Sequence, residues 1–393
     1  MILKKGFKYR LEPTKEQRQL FAQFAGASRF LYNWGLVQRK EAYEKEGKSV
    51  TYFEQNNALV SLKKAEKTSW LSDIHSQVLQ QSLKNLDAGF LNFFRNARSN
   101  RKAGFPRFKC KGVHDSFRYP QGVKVEEDKV YLPKIGWVRF RKSREIEGMV
   151  KQTTILKEAG HWYVSFSTEI QVPDLKPVPI QEEKAVGIDM GLTRFATLAS
   201  GTDNRPAYIP NPRFFNKYLP RLRVLARRLS KKVKFSKSWL KAKMKLAKLH
   251  ARIRRCREDF AHKLSTEVVK SHDIICVEGL DIANLLEKNV RNMSRAISDA
   301  SWRLFLRCLE YKAKAEGKYY VETGKYFPST KTCSGCMSTK AMELKDREYR
   351  CPNCSLKIDR DLNSAILEKT AGMSVLRKKQ EKLISLKACG VTP

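Results

Sequence analysis

Apolar and polar positions change period several times along the chain, and the changes mark out its regions. Residues 1–10, MILKKGFKYR, alternate weakly and predict a strand. Thr14 then stands as an N-cap, with Gln17 three residues on to complete a capping box. Leu20, Phe21, Phe24, Ala27, Phe30, Leu31 and Trp34 recur at three and four, as do Val78, Leu79, Leu83, Leu86, Phe90 and Phe94. Residues 11–103 therefore predict a small helical bundle. From Gly104 to residue 172 the segments are short and alternating. VKVEEDKVYLPKIGWVRFR predicts two strands and HWYVSFSTEI another, with breakers at Gly122, Pro133, Gly136 and Gly160, as in a barrel or small sandwich. QVPDLKPVPIQEE, with three prolines, is a linker.

Beyond it, AVGIDMGL predicts a buried strand, RFATLAS its hairpin partner, and Asp273–Val277 a second buried strand closed by Glu278-Gly279. Between them Leu222, Leu225 and Leu229, then Leu240, Met244, Leu249 and Ile253, keep a helical spacing that predicts a helical hairpin. Residues 301–315 form another helix and 319–321 another strand. Two CxxC pairs and Asp359-Arg360-Asp361 follow, then a short helix and a basic tail from 372 that is expected to be poorly ordered.

Charge changes this picture most. The 393 residues hold 78 Lys and Arg against 40 Asp and Glu, a net charge of +38. Such a chain repels itself until a polyanion neutralises it, which makes nucleic acid the leading partner and a membrane surface the alternative. A hydrophobic content of 41% supports packed cores and excludes a wholly disordered tail. No uncharged apolar run of about 18 residues exists, which excludes a membrane-spanning helix. The N-terminus lacks the apolar core of a secretory signal, so a cytoplasmic, nucleoid-associated protein is expected. Residues 213–257 carry 18 Lys or Arg and no acid. Either they form a solvated charged face, or they bind phosphates with a steep salt dependence.

Cys333, Cys336, Cys351 and Cys354 form two CxxC turns separated by 14 residues. Each turn offers two thiolates to one tetrahedral ion, so the set predicts a closed, structural Zn²⁺ site. The glycine that often follows each pair is replaced by Met337 and Ser355. The other five cysteines are scattered singly, which suits small buried side chains better than a disulfide framework.

Asp189, Glu278 and Asp361 lie at two strand ends and a helix start. An unpaired buried carboxylate is costly, so such acids face a cleft more naturally than a core. Three of them suit hard cations such as Mg²⁺, and two such ions support phosphodiester cleavage. Spacing alone leaves caps and surface acids as an open alternative.

The ordered segments VGIDMGL, ICVEGLDIANL, PSTKTCSGC and CPNCSLKIDRDLNSA, with LYNWGL, VLQQSLKNLDAGFLNFF, GFPRFKCK, FRYPQ and SWRLFLRCLEYKA, resemble the TnpB family over nearly the whole chain. These are insertion-sequence-encoded proteins similar to compact type V CRISPR effectors and to Fanzor proteins. The resemblance implies a multidomain α+β fold. Residues 1–10 with 104–180 would make a β-barrel-like wedge domain, and 11–103 a helical recognition domain. Residues 181–325 would be a RuvC/RNase H-like nuclease carrying the basic hairpin 213–270, with 326–357 the inserted zinc ribbon and 358–371 the last nuclease segment. It implies Asp189, Glu278 and Asp361 as catalytic residues holding two Mg²⁺, with Asp359 a near neighbour. The family's D-x-N-A-A is here Asp361-Leu362-Asn363-Ser364-Ala365.

The implied partners are a transposon-end-derived guide RNA and double-stranded target DNA, bound by a monomer. Arg221, Arg223, Arg227, Arg228, Lys231, Lys241, Lys245, Arg252 and Arg255 would line a channel for RNA or an RNA–DNA duplex. Tyr52, Phe53, Ser76, Gln77 and Gln80 look like the positions that read a short motif flanking the target, because Gln pairs bidentately with adenine. Ordinary helix-surface glutamines are the plainer alternative. His262-Lys263 would approach a phosphate or simply pack. The implied activity is RNA-guided DNA cleavage. Its rivals are a guided DNA-binding regulator that does not cut, and an unguided nuclease of branched DNA.

Overall fold

The computed structural model describes residues 2–388 apart from 100–103, 114, 174, 176, 289, 326, 344 and 345, so Met1 and the last five residues of the basic tail lie outside it. The fold is mixed α/β in two compact units, Met1–Pro173 and Asp174–Pro393. Among the described residues no helix is long and apolar enough to cross a membrane.

In the first unit β1 (Ile2–Leu11) turns Phe7, Tyr9 and Leu11 to one buried face. Thr14 caps α1 (Lys15–Glu46), and both bonds of the capping box to Gln17 form. The helix ends at Gly47 in the left-handed region, with φ 65°. Thr51 caps α2 (Tyr52–Lys64) in the same way, and a 3₁₀ turn (Glu66–Asp73) leads to α3 (Ser76–Arg98). Six strands follow: β2 (Ser116–Tyr119), β3 (Lys124–Glu126), β4 (Lys129–Leu132), β5 (Gly136–Arg141), β6 (Met149–Glu158) and β7 (His161–Gln171). With β1 they make an antiparallel sheet in the order β2-β6-β7-β1-β5-β4-β3. β1 pairs with β7 over most of its length and with β5 only through Arg10 and Leu11, so it joins two smaller ribbons.

Two expectations change here. Residues 124–141 hold three strands rather than two, because Glu127 adopts a positive φ of 46° inside the run that read as continuous. Among the described strands β2 and β3 stand at the edges, so hydrogen bonding does not close the sheet into a barrel. The sheet packs on α1 through Phe21 and Phe24, which meet Phe117 at 5.8 and 5.3 Å between ring centroids.

The second unit is built on β8 (Ala185–Met190), β9 (Arg194–Ser200), β10 (Arg205–Pro210), β11 (Ile274–Val277) and β12 (Tyr319–Glu322), in the order β10-β9-β8-β11-β12. β8 to β10 are antiparallel, while β11 runs parallel to both β8 and β12. Between β10 and β11 come α4 (Phe214–Ser230) and α5 (Lys237–Ser271). Then follow α6 (Ile282–Lys288), α7 (Arg291–Ala300) and α8 (Trp302–Ala315), of which α6 and α7 carry no clear signal in the sequence. A short ribbon, β13 (Glu348–Arg350) with β14 (Lys357–Asp359), precedes α9 (Arg360–Ala388). The tail expected to be poorly ordered from 372 continues this helix as far as Ala388, because Met373 and Leu376 keep an apolar face that packs with Ile274, Cys276 and Val321.

Strand alternation assigns the two faces of this sheet. Val186 and Ile188 of β8, with Ile275 and Val277 of β11, pack with Leu264 and Val268 of α5 and Phe305 and Leu309 of α8. The intervening Ala185, Gly187, Ile274 and Cys276 face α9. Contact on that side is close enough to require glycine. A Cβ at Gly187 would overlap the Ala365 carbonyl and stand 2.7 Å from the Lys369 nitrogen, and one at Gly372 would overlap Cys276. Gly187→Ala is therefore expected to push α9 off the sheet and to cost about 3 kcal/mol or more. Chemical denaturation checks this, and a variant as stable as the parent would contradict the contact.

Candidate active site

β8 and β11 pair in parallel with Ile188 opposite Val277, so the next residues, Asp189 and Glu278, stand side by side at the carboxyl ends of adjacent strands. Their alternation partners Gly187 and Cys276 face α9, and the same period turns both acids to that side. Asp361 lies in the first turn of α9. Asp359 is a helix cap: its Oδ1 accepts from the Asp361 and Leu362 amides at 3.1 Å each, and Arg194 of β9 pairs with its other oxygen at 3.0 Å. Asp361 itself is met by Arg360 at 3.2 Å.

Sequence reasoning missed a fourth acid, Glu368, seven residues beyond Asp361 and hence two turns along the same helix face. It is fully buried. One carboxylate oxygen accepts from the Thr323 hydroxyl, and the other has no hydrogen-bond partner within 3.5 Å among the described residues. Its spacing puts it on the Asp361 face of α9, but only the seating of that helix on the sheet makes it part of the site.

Burial pushes Asp189 well above the ordinary carboxyl range, and the charges of Glu278, Asp361 and Glu368 push it further, with Arg360 opposing. Burial, and then Glu368, raise Glu278 to about 7. Burial also raises Glu368, against the opposing effect of Thr323 and Ser329. These acids form a region of excess negative charge that a cation would relieve, which is the donor chemistry a hard divalent ion requires. They are not drawn tightly together: among the described residues, only the four cysteines form a group of three or more potential ligands within 4.8 Å of one another.

Those sulfurs fit one ion. Cys333 and Cys354 are 3.6 Å apart and Cys336 and Cys351 3.5 Å apart, close to the tetrahedron edge of about 3.8 Å that follows from metal–sulfur bonds of about 2.3 Å. The Ser338 hydroxyl and nearby amides lower Cys351 to about 5, favouring its thiolate. Met337 and Ser355, where glycine was expected, adopt φ of 62° and 58°, so each holds a backbone shape that glycine adopts at less cost. Asn363, fully buried, ties this knuckle to α9. Its Oδ1 accepts from the Ser334 amide at 2.9 Å and its Nδ2 donates to the Thr332 carbonyl at 2.7 Å. The cysteine turn thus fixes the helix that carries Asp361.

The basic hairpin is α4 against α5, seamed by Leu222, Leu249 and Ile253. Leu240 and Met244 of the expected stripe are instead exposed, because they lie toward the free end of the hairpin. Asp299, which the sequence did not single out, anchors its base: it accepts from the Phe215 amide at 2.9 Å and pairs with Arg257 at 2.7 Å. All nine cations named from the sequence are exposed. Arg221, Arg228, Lys245 and Arg252 border a cavity of about 550 Å³. Arg228, Lys231, Lys241 and Lys245 border an adjoining one of about 420 Å³. Arg223, Arg227 and Arg255 line neither. His262 turns to α8, 3.4 Å from the Tyr311 hydroxyl and 3.8 Å from the Cys308 sulfur.

In the first unit, Ser76 is exposed and receives a bond from Lys63 at 3.1 Å, with Gln77 and Gln80 half-buried on the same helix. Tyr52 and Phe53 open α2, Tyr52 half-buried and Phe53 exposed, while Lys63 stands in the last turn of the same helix.

The charge of Glu368 has a measurable consequence. With its folded pKa near 7 against an ordinary 4.5, Glu278 supports the metal-free fold at acid pH, and that support is lost as pH rises from about 4.5 through about 7. Glu368→Gln is expected to reduce this loss by on the order of 1 kcal/mol. Melting temperature against pH in chelator checks it, and identical profiles for variant and parent would contradict it.

Comparison with known proteins agrees with the sequence motifs. A family profile described as "Probable transposase" matches residues 165–289, a "Helix-turn-helix domain" profile matches 1–48, and a "Cas12f1-like, TNB domain" profile matches 302–367. The chain is 37% identical to "Putative RNA-guided DNA endonuclease InsQ" of Escherichia coli (strain K12), over 94% of this chain and 93% of that one. A "Putative RNA-guided DNA endonuclease" from Streptomyces pristinaespiralis is 34% identical, over 95% of this chain and 90% of that one. The solved Cas12f1 chain from a complex with sgRNA and target DNA shares the fold, with a TM-score of 0.56 at 14% identity, over 94% of this chain and 99% of that one. Similarity of this extent over nearly the full length of its relatives makes the chain a member of the TnpB family.

Proposed function

We propose that the chain is an RNA-guided DNA endonuclease whose cleavage centre is Asp189, Glu278 and Asp361. The observation that carries the reading is the arrival of these three acids on the α9 side of one sheet, in a member of the TnpB family. The sheet order, three antiparallel strands continued by two parallel ones, supports a RuvC-like nuclease unit. The three carboxylates would hold Mg²⁺, which supplies an activated water and a counter-charge for the leaving oxygen of the phosphodiester.

The chain's own groups prepare that chemistry. Asp189 and Glu278 are held at adjacent strand ends against their mutual repulsion, so their charges are poised for cations. Arg360 stands beside Asp361 and orients it. The four cysteines would hold Zn²⁺ and, through Asn363, keep the start of α9 in register with the sheet. The hairpin groove of Arg221, Arg228, Lys231, Lys241, Lys245 and Arg252 would take the phosphates of guide RNA or of its duplex with target DNA. Ser76, Gln77 and Gln80 of α3, with Tyr52 and Phe53 at the start of α2, are the candidate positions for reading the flanking motif. Base pairing would read the rest of the target.

The test is cleavage of a DNA library carrying a guide-matched target with randomised flanks, in Mg²⁺, by the chain purified with RNA from its own element end. The expected result is cutting that needs the guide and one flank and falls at least 1,000-fold, on the order of a lost metal-site group, in Asp189→Ala. Guide-dependent binding without cutting would overturn the nuclease reading in favour of a regulator. Cutting without RNA would overturn guidance. In the same preparation, Arg228→Ala with Lys245→Ala is expected to weaken RNA binding and to lower the slope of log affinity against log salt by about 2. An unchanged slope would remove the groove from the phosphate path.

A further inference from the structure

We infer that an aromatic cavity in the first unit seats an unpaired nucleobase of an RNA strand. The cavity encloses about 510 Å³ between α1, α3 and the segment that begins at Gly104. Three of its rings hold one another in place: Phe105 meets Phe90 and Phe93 edge-on, each at 5.4 Å. Phe94, stacked on Phe90 at 6.2 Å, is half exposed, and Tyr43 across the opening is 70% exposed. Five aromatic side chains thus share one opening, and Tyr43, Phe94 and Phe105 leave ring surface to water. Such an opening costs free energy that a planar apolar partner would recover.

The surrounding charge selects the partner. The Arg39 guanidinium lies 5.1 Å from the Phe90 ring centre and is held there by Asp87 at 2.8 Å and Gln55 at 3.0 Å, so a rigid planar cation extends the stacking wall. Lys40 borders the same cavity and stands 5.9 Å from the ring of Phe108, itself half exposed. Rings that stack a base, beside cations that meet its phosphates, are the combination by which proteins hold single-stranded nucleic acid. The remaining wall selects the sugar. Glu44 and Ser49 place a carboxylate and a hydroxyl in the lining. A carboxylate is a poor neighbour for phosphate but accepts readily from a 2′-hydroxyl, which only RNA carries. The cavity is distinct from the hairpin groove of the second unit and from Ser76, Gln77 and Gln80.

The choice of RNA rests in part on the proposed RNA-guided function, but the seat is tested without a guide. The probe is an eight-nucleotide oligoribonucleotide with 2-aminopurine at its centre. The same sequence in deoxyribose and an abasic version serve as comparisons. Binding to the full chain is followed by fluorescence quenching. Tyr43→Ala and Phe94→Ala are exposed positions, so melting temperatures should match the parent. The expected result is quenching by the ribose probe that weakens roughly tenfold in each variant, with an unchanged salt slope and recovery in Phe94→Trp. Crosslinks from a 4-thiouridine probe should fall on peptides containing Tyr43 or Phe94. Quenching that is unchanged in both variants, or crosslinks confined to other segments, would overturn the seat. Equal effects with the deoxyribose probe would overturn its assignment to RNA. Guided cleavage by the parent chain is scored separately, so loss of the seat and loss of the proposed function give different results.

Discussion

The nuclease unit depends on how near one helix lies to one sheet. α9 rests on β8 and β11 at backbone distance because Gly187 and Gly372 present no side chain where the two surfaces meet. That contact brings Asp361 and Glu368, which belong to the end of the chain, to Asp189 and Glu278, which stand at strand ends laid down up to 179 residues earlier. A larger residue at either glycine would separate the carboxylates before any charge was changed. The acids have the opposite tendency. They repel one another, lose hydration and resist ionisation. Packing therefore supplies what electrostatics opposes, and the result is a centre whose stability is tied to cation binding.

Further contacts at two places hold α9 in that position. At its start, Asp359 caps the helix and takes Arg194 from β9, while Asn363 is bound to the backbone of the first cysteine knuckle. The knuckle thus acts on Asp361 through a few hydrogen bonds. Further along, the buried Lys369 donates to the Gly201 carbonyl and to Asn204 at 2.6 Å, fastening the helix to the turn between β9 and β10. A chain with such a helix uses its last third to complete a site begun near its middle. This explains why the cysteine turns sit immediately before Asp361 in sequence.

Much of this was legible in the residues. The capping box at Thr14, the paired CxxC turns and the acids at two strand ends carry local signals that tertiary packing does not override. Other features depend on neighbours that no local pattern records. Glu368 reads as one more helical acid until α9 is known to lie on the sheet. Asp299 looks like a surface acid, yet it anchors α4 through a backbone amide and Arg257. The tail reads as basic and loose because its many lysines hide the few apolar positions that face β11 and β12. The nine hairpin cations were recognisable as a group, but which of them share a groove depends on the crossing of α4 with α5.

The most direct test is a metal titration of the purified chain without nucleic acid, followed by calorimetry with Mg²⁺ and by the paramagnetism of Mn²⁺. Binding is expected at a centre that Asp189→Ala abolishes and that is retained in the aromatic variant Phe94→Ala. Binding of the same strength and stoichiometry in Asp189→Ala would contradict it, since the carboxylates that α9 and the sheet bring together would then not form the cation site.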